Sequence, residues 1–386
     1  MIRPLASYNS SYTTPSLINV GYSLRACLIL LISLFALSAC TSTADKSSIN
    51  KSIASKSTTN KSTVSKHAPF GPHDFSDTQK WTAIVAAFEP EIAAIESAFD
   101  ASPHAFISNT INIKGVEYQL GTYKSEPVVI FTTGISVTNA AMTMQMALDY
   151  FPIDTVVMMG IAGSVNPVYA PGDISVPERW YYHDESLYAN PKPDSSGDYF
   201  LLDFHQAQMA EQKKRASNDS HAPAYTNFDY VFPREVSVVK AGINEAQKMP
   251  YFSVTPSLLN LASVAHKKLG NVTMPSGKPI QIRIGGNGVT GSVFVDNAEY
   301  RVWLEEVYQA EVAEMESAAV GQVCFVNDVD WIVIRSVSDL AGGQHVNSDS
   351  GKQGTENVFD AILAAGTGTT FMMALLDEIA KNKSLN

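Results

Sequence analysis

The chain has 386 residues and is 45% hydrophobic, 17% charged and 10% aromatic, which excludes wholesale disorder, collagen and coiled coil. Two basic residues precede Cys40, and five lysines with one aspartate fall in 41–66. That leaves 20 basic against 37 acidic residues, which argues against general nucleic-acid binding, a role that needs a basic footprint, and three cysteines cannot build a disulfide framework.

Residues 26–39 (ACLILLISLFALSA) form a 14-residue apolar run behind Arg25. Its length suits a signal-peptide h-region and is short for a bilayer span. It ends in Leu37-Ser38-Ala39-Cys40, small residues directly before a cysteine, as in a bacterial lipobox. Residues 1–40 therefore read as a lipoprotein signal peptide, with Cys40 acylated and anchoring the protein to the membrane. With no Asp directly after Cys40, the sorting expectation is the periplasmic side of the outer membrane, the alternative being a secreted or soluble periplasmic protein. Residues 41–77 read as a disordered tether: lysines recur at 46, 51, 56, 61 and 66 among Ser, Thr and Asn, with too little apolar surface to offset chain entropy.

Residues 78–386 read as one α/β domain. WTAIVAAF (81–88) predicts a buried strand and 89–99 its following helix. A hairpin is expected from 107–113 and 116–123 around Lys114-Gly115. VVIFTTG (128–134) is a strand, 136–150 a helix, and DTVVMMG (154–160) a strand, followed by a small-residue turn at GIAGS (160–164). QIRIGG (281–286), a helix near 297–307, a helix from 315 to about 327, the strand WIVIRSVSD (331–339) and a helix over 356–382 complete the series. Continuous β-branched runs between helical patterns predict a sheet covered on both faces, hence a three-layer αβα domain around a central mixed sheet. Residues 186–250, rich in Pro, Asp, Ser and Tyr, read as an insertion near the mouth of the site.

Ligands of open α/β sheets bind beyond the carboxyl ends of the strands, and four motifs stand there. Phe88-Glu89-Pro90-Glu91 joins a strand to a helix; by pattern alone its acids read as helix N-terminal carboxylates. GIAGS allows close backbone approach but lacks dinucleotide or P-loop spacing, so no cofactor is indicated. Glu314-Met315-Glu316-Ser317 ends a strand and opens a helix, and Glu316 could accept hydrogen bonds from a diol. In Arg335-Ser336-Val337-Ser338-Asp339, the Arg shares a strand face with Val333 and Val337, costly unless paired, and Asp339 falls just past the strand. Such acids suit glycosidic chemistry: a proton for the leaving group, a carboxylate near the sugar, and an activated nucleophile. The eight histidines show no metal-ligand spacing, and Cys324 reads as a small buried hydrophobe.

AFEPEI (87–92), GIAGS, GSVFVDN (291–297) and the pair EMESAAV (314–320) and RSVSDLA (335–341) resemble the nucleoside phosphorylase/nucleosidase superfamily. The nearest resemblance is to methylthioadenosine/S-adenosylhomocysteine nucleosidases, with features of plant bark storage proteins. The resemblance implies that Glu91 activates water and that Asp339 protonates the purine, supported by Ser338, with Arg335 near the water. Glu316 would accept the ribose hydroxyls and Met315 pack on the ribose. Phe294 would stack on the base, Val295 offer backbone hydrogen bonds to it, and Ile135 line the sugar, with Gly160 and Ile161 at the site. A homodimer is implied as well. The sequence departs from the pattern where nucleosidases usually carry Ser and this chain has Ile161, and where 186–250 replaces the short segment that shapes the 5′ pocket.

Three functions follow. Hydrolysis of a purine nucleoside is favoured over phosphorolysis, because a carboxylate at Glu91 would repel phosphate by about 1 kcal/mol if solvated and by several if dry. A non-catalytic storage or binding protein is the third, and the joint presence of Glu91, Glu316 and Asp339 argues against it.

Overall fold

The computed structural model describes residues 80–194, 196–274, 276–343 and 361–385. The signal peptide with Cys40, the tether and the expected first turn of the last helix (356–360) lie outside the described residues.

Strand β1 (Trp81–Ala86) leads into helix α1 (Glu89–Ala101), followed by β2 (Ala105–Ile113), β3 (Val116–Tyr123), β4 (Glu126–Thr132), α2 (Val137–Tyr150) and β5 (Ile153–Ser164). Next come β6 (Ile174–Val176) and β7 (Arg179–Tyr182). Residues 186–250 hold β8 (Ser186–Tyr188), β9 (Asn190–Pro191), β10 (Tyr199–Phe200), α3 (Asp203–Ala216), β11 (Val231–Pro233), β12 (Val236–Val238) and β13 (Gln247–Met249). The chain continues through β14 (Phe252–Ser253), α4 (Pro256–Leu269), β15 (Ile282–Ile284), β16 (Asn287–Thr290), α5 (Ala298–Tyr308) and β17 (Ala310–Glu314). It closes with α6 (Ser317–Asn327), β18 (Asp330–Leu340) and α7 (Ala361–Lys383).

Twelve strands form one mixed sheet in the order β14-β7-β16-β17-β5-β1-β4-β3-β2, with β18 paired to β5 and β6, and β15 to β6. Alternation along each buried strand serves two cores. Ile84, Ile130, Val157 and Ile334 pack with Ile95 of α1, Leu258 of α4 and Leu375 of α7. Val85, Val129, Met158 and Val333 face the other way, toward Met144 of α2 and Val323 of α6. That is the expected three-layer αβα architecture with a mixed central sheet. Each such side chain contributes about 1.5–3 kcal/mol by leaving water, and truncating one to Ala costs about 2–5 kcal/mol. The β2–β3 hairpin turns at Lys114 (φ 51°) and Gly115 (φ 94°), the positive pair that a two-residue hairpin requires.

Four features differ from the sequence reading. GIAGS is strand, not turn: Ala162 pairs with Val337 of β18 and Gly163 with Ala313 of β17, so neighbouring strands satisfy its backbone. Asp339 lies inside β18, at an irregularity between Val337 and Asp339 that sets Ser338 and Asp339 against one residue of β5. Helix α4 was not expected, although Pro256 in its first turn, buried Leu258, Ala262 and Ala265 at helical spacing, and Gly270 (φ 66°) behind it are ordinary start and stop signals. Helix α3 buries only Gln212, so it offered no apolar stripe to find.

Candidate active site

Where β5 runs past the end of β1, the sheet opens into a cavity of about 380 Å³. Its lining joins Phe88 and Glu91 from the start of α1, Ile135 before α2, and Ile161–Gly163 of β5. It also includes Val293–Val295 after β16, Ala313–Glu316 between β17 and α6, and Ser338, Asp339 and Ala341 at the end of β18. Nine of the sequence-derived site residues meet here: Glu91, Ile135, Phe294, Val295, Met315, Glu316, Ser338, Asp339 and Ile161. The volume falls within the range of small-molecule sites, about 300–1,000 Å³.

Glu91 is the third residue of α1, and 1% exposed. Its Oε2 accepts from the Ala87 (2.7 Å) and Phe88 (3.4 Å) amides, and its Oε1 from the Ile161 amide (2.8 Å). It is thus a helix-terminus acid and a cavity wall at once. A carboxylate has about four lone-pair sites, and the three amides leave one for a further donor. Burial pushes its pKa up, while the Arg335 charge and the three amides pull it back.

Arg335 is 1% exposed and is not among the residues that line the cavity. It pairs with Glu314 and lies 3.4 Å from Glu316 Oε2 and 3.8 Å from Glu91 Oε1; it also donates to Ser317 Oγ and the Ile161 carbonyl. Burial works against its charge, yet Glu314, Glu316 and Glu91 together hold its pKa above the ordinary value. Gly160 is likewise no cavity residue. A Cβ there would run into the Arg335 guanidinium and stand 2.6 Å from Glu91 Oε1, so its role is to leave room for that pair.

Three carboxylates around one guanidinium would carry a net −2 if all were ionised, so the group holds a proton readily. Glu316 shows this: burial first, then the Glu314 charge, raises its pKa to about 8, against Arg335 and the Ser136 amide. That amide donates to Glu316 Oε1 at 2.9 Å. Ser136 delivers it from φ 83°, ψ 155°, a region that non-glycine residues rarely occupy. Glu314, which the sequence reading left without a role, accepts from the Glu316 and Ser317 amides (3.0 Å each), the Ser317 hydroxyl (2.9 Å) and the Thr290 hydroxyl. Its only sequence signal was its place at a strand end, four residues from a strand start.

At the opposite wall Asp339 has, among the described residues, one hydrogen-bonding side-chain neighbour, Ser338, whose Oγ lies 2.6 Å from Asp339 Oδ1 and 3.2 Å from the Ala162 carbonyl. The hydroxyl can donate to an ionised Asp339, or turn to Ala162 when Asp339 carries a proton. Burial raises the Asp339 pKa, opposed by Ser338. Val293 and Phe294, the latter 63% exposed, stand at the rim with Ile135. The described residues of 186–250 supply no lining residue of the cavity; they pack over α5 and α6, as in the Trp303 Nε1 bond to the Thr226 carbonyl and the Lys240 bond to the Phe325 carbonyl. No metal-binding cluster occurs among the described residues.

An open mixed sheet with a carboxylate-lined cavity at its strand ends defines the class, and the comparisons agree: the phosphorylase superfamily model matches residues 82–377, and the chain belongs to that superfamily. Among relatives, the 5′-methylthioadenosine/S-adenosylhomocysteine nucleosidase of Shewanella sp. strain MR-7 is 26% identical over 297 residues, covering 76% of this chain and 95% of the relative. Bark storage protein B of Populus deltoides is 24% identical over 258 residues, covering 65% and 77%. The fold is shared with futalosine hydrolase of Helicobacter pylori strain 26695 (TM-score 0.54, 20% identity, 78% of this chain and 100% of that one). It is shared equally with the Helicobacter pylori 5′-methylthioadenosine/S-adenosylhomocysteine nucleosidase bound to butyl-thio-DADMe-Immucillin-A (TM-score 0.53, 20% identity, 78% and 99%).

Proposed function

We propose that this chain hydrolyses the N-glycosidic bond of a purine nucleoside, giving free base and a ribose derivative. One observation carries the choice of water over phosphate. Among the described residues the cavity is lined by four carboxylates, Glu91, Glu314, Glu316 and Asp339, and by no Lys, Arg or His. Among the described residues a phosphate nucleophile would meet no free cation, since Arg335 is already enclosed by three acids.

The roles follow from the environments. Glu91 uses its remaining lone-pair site to hold a water and take its proton as the water attacks the anomeric carbon; a pKa raised toward the working pH suits a base. Asp339, whose pKa burial raises, gives a proton to the departing purine as the C–N bond breaks. Glu316, aimed by the Ser136 amide, accepts from the ribose hydroxyls, and Met315 packs against the sugar. Phe294 and Val295 meet the base. Arg335 balances the charge of Glu91, Glu314 and Glu316 from behind the wall. Relatives named as methylthioadenosine/S-adenosylhomocysteine nucleosidases support nucleosides of that kind.

The test is base release from a panel of purine nucleosides, at zero and millimolar phosphate, for wild type and Glu91→Gln. Hydrolysis independent of phosphate and reduced about 10²–10⁴-fold in the variant is expected. Release that requires phosphate and yields ribose 1-phosphate overturns hydrolysis. No release from any nucleoside favours a storage role.

A further inference from the structure

We propose that Asp184, with His183 beside it, is the positioning residue for the base-facing loop 291–297. This extends the nucleoside reading of the cavity and rests on it. Strand β7 lies parallel to β16, with Tyr182 opposite Thr290, and the His183 amide adds one more rung by donating to the Thr290 carbonyl at 3.0 Å. On the other side, the Gly291 amide donates to the Glu314 carbonyl at 3.0 Å. The loop therefore leaves the sheet between the end of β7 and the acid-bearing end of β17.

Its next amide, that of Ser292, donates to Asp184 Oδ2 at 2.6 Å. A Cβ on Gly291 would stand 2.5 Å from His183 Nε2 and 3.0 Å from Asp184 Cγ, so the loop is pressed against both side chains. The far end returns to the same place. Asn297 Oδ1 accepts from the Tyr300 amide at 2.8 Å, and the Tyr300 hydroxyl lies 2.9 Å from Nδ1 of the fully buried His183. Both ends of the loop are thus tied to one two-residue step, and the residues between them, Val293, Phe294 and Val295, line the cavity.

The same loop touches the acid's turn. Gly342 (φ 66°), three residues past Asp339, lies so close to Asn297 and Ala298 that a Cβ would meet their backbone. Burial holds the His183 pKa down at about 4, so its contact with Tyr300 does not titrate in the neutral range. Burial raises the Asp184 pKa and the Ser292 amide opposes that rise, because the bond favours the ionised carboxylate, which binds an amide roughly twice as strongly as a neutral acceptor.

The test uses the full-length chain. Asp184→Ala should raise KM for the nucleoside and Kd for the free purine base together, by about tenfold, with kcat within about threefold of wild type. Asp184→Asn, which keeps an acceptor, should return most of the loss. Gly291→Ala, which pushes on the same pair, should shift KM in the same direction. In the ligand-free protein, amide exchange should speed up at Ser292 in Asp184→Ala while the Ala87 and Ile161 amides held by Glu91 stay protected. Unchanged Ser292 exchange, or unchanged KM and base affinity, overturns the proposal. If Asp184→Ala does not fold, a wild-type KM in Gly291→Ala overturns it. Wild type that neither binds purine nor releases base would instead sink the nucleoside reading, and the exchange measurement would still decide whether Asp184 holds the loop.

Discussion

The two walls of the cavity use the same residue type in opposite ways. At one wall, Glu91, Glu314 and Glu316 surround the buried Arg335 and take backbone amides as well. At the other, Asp339 has, among the described residues, one serine hydroxyl and no cation. Burial raises carboxyl pKa values at both walls, and among the described residues only the first supplies a cation to oppose it. Carboxyl pKa values at both walls are thus raised, and the walls differ in the partners that oppose the rise. Arg335 is enclosed by these acids and is not among the residues that line the cavity.

Removing the cation is the strongest way to break the contrast. Arg335→Met leaves three buried carboxylates unpaired, and loss of one partner of a buried ion pair costs about 3–5 kcal/mol. A large drop in thermal midpoint with loss of base release is expected; an unchanged midpoint would show that the acids are held neutral without it. At the opposite wall, Asp339→Asn keeps the shape and removes the proton. A fall in kcat of about 10²–10⁴-fold with an unchanged melting curve is expected. Near-wild-type turnover would place leaving-group protonation elsewhere.

A finer probe is the pH dependence of Glu316, whose pKa rises from the usual 4.5 to about 8 in the folded chain. The folded state then binds the proton more tightly than the unfolded state. The associated stability is full below pH 4.5 and is lost as pH rises through 8. Glu316→Gln cannot titrate, so its thermal midpoint should gain on wild type across that window and run parallel above it. Parallel curves throughout would mean that the proton is held by another member of the cluster.

The smallest effect tests the amide that aims Glu316. Ser136 at φ 83° stores strain that glycine would not. Ser136→Gly keeps the amide, so turnover should stay near wild type. Stability should rise by up to about 1 kcal/mol, less than the strain relieved because glycine loses more freedom on folding. A lower midpoint would show that the serine side chain contributes more than the strain costs.

Sequence by itself determined the layer order and named most of the residues that line the cavity. Alternating apolar runs such as TAIVA and VVIF have one physical solution, a sheet with helices on both faces, and the acids stand where those runs end. It did not determine which way those side chains turn. Alternation continued through Val333, Arg335 and Val337 gives no warning that the chain bulges before Asp339 and brings Ser338 and Asp339 to one cavity. Nor could it show that β5 continues through GIAGS, since only pairing with β17 and β18 satisfies that backbone. Arg335 was legible as costly in an apolar strand, but its partners come from three separate segments, and only tertiary packing sets all of them on one guanidinium, behind the cavity wall. Asp184 was beyond reach for the same reason. Its partner Ser292 lies 108 residues away, and a hydrogen bond to a backbone amide leaves no mark on the identity of the residue that donates it.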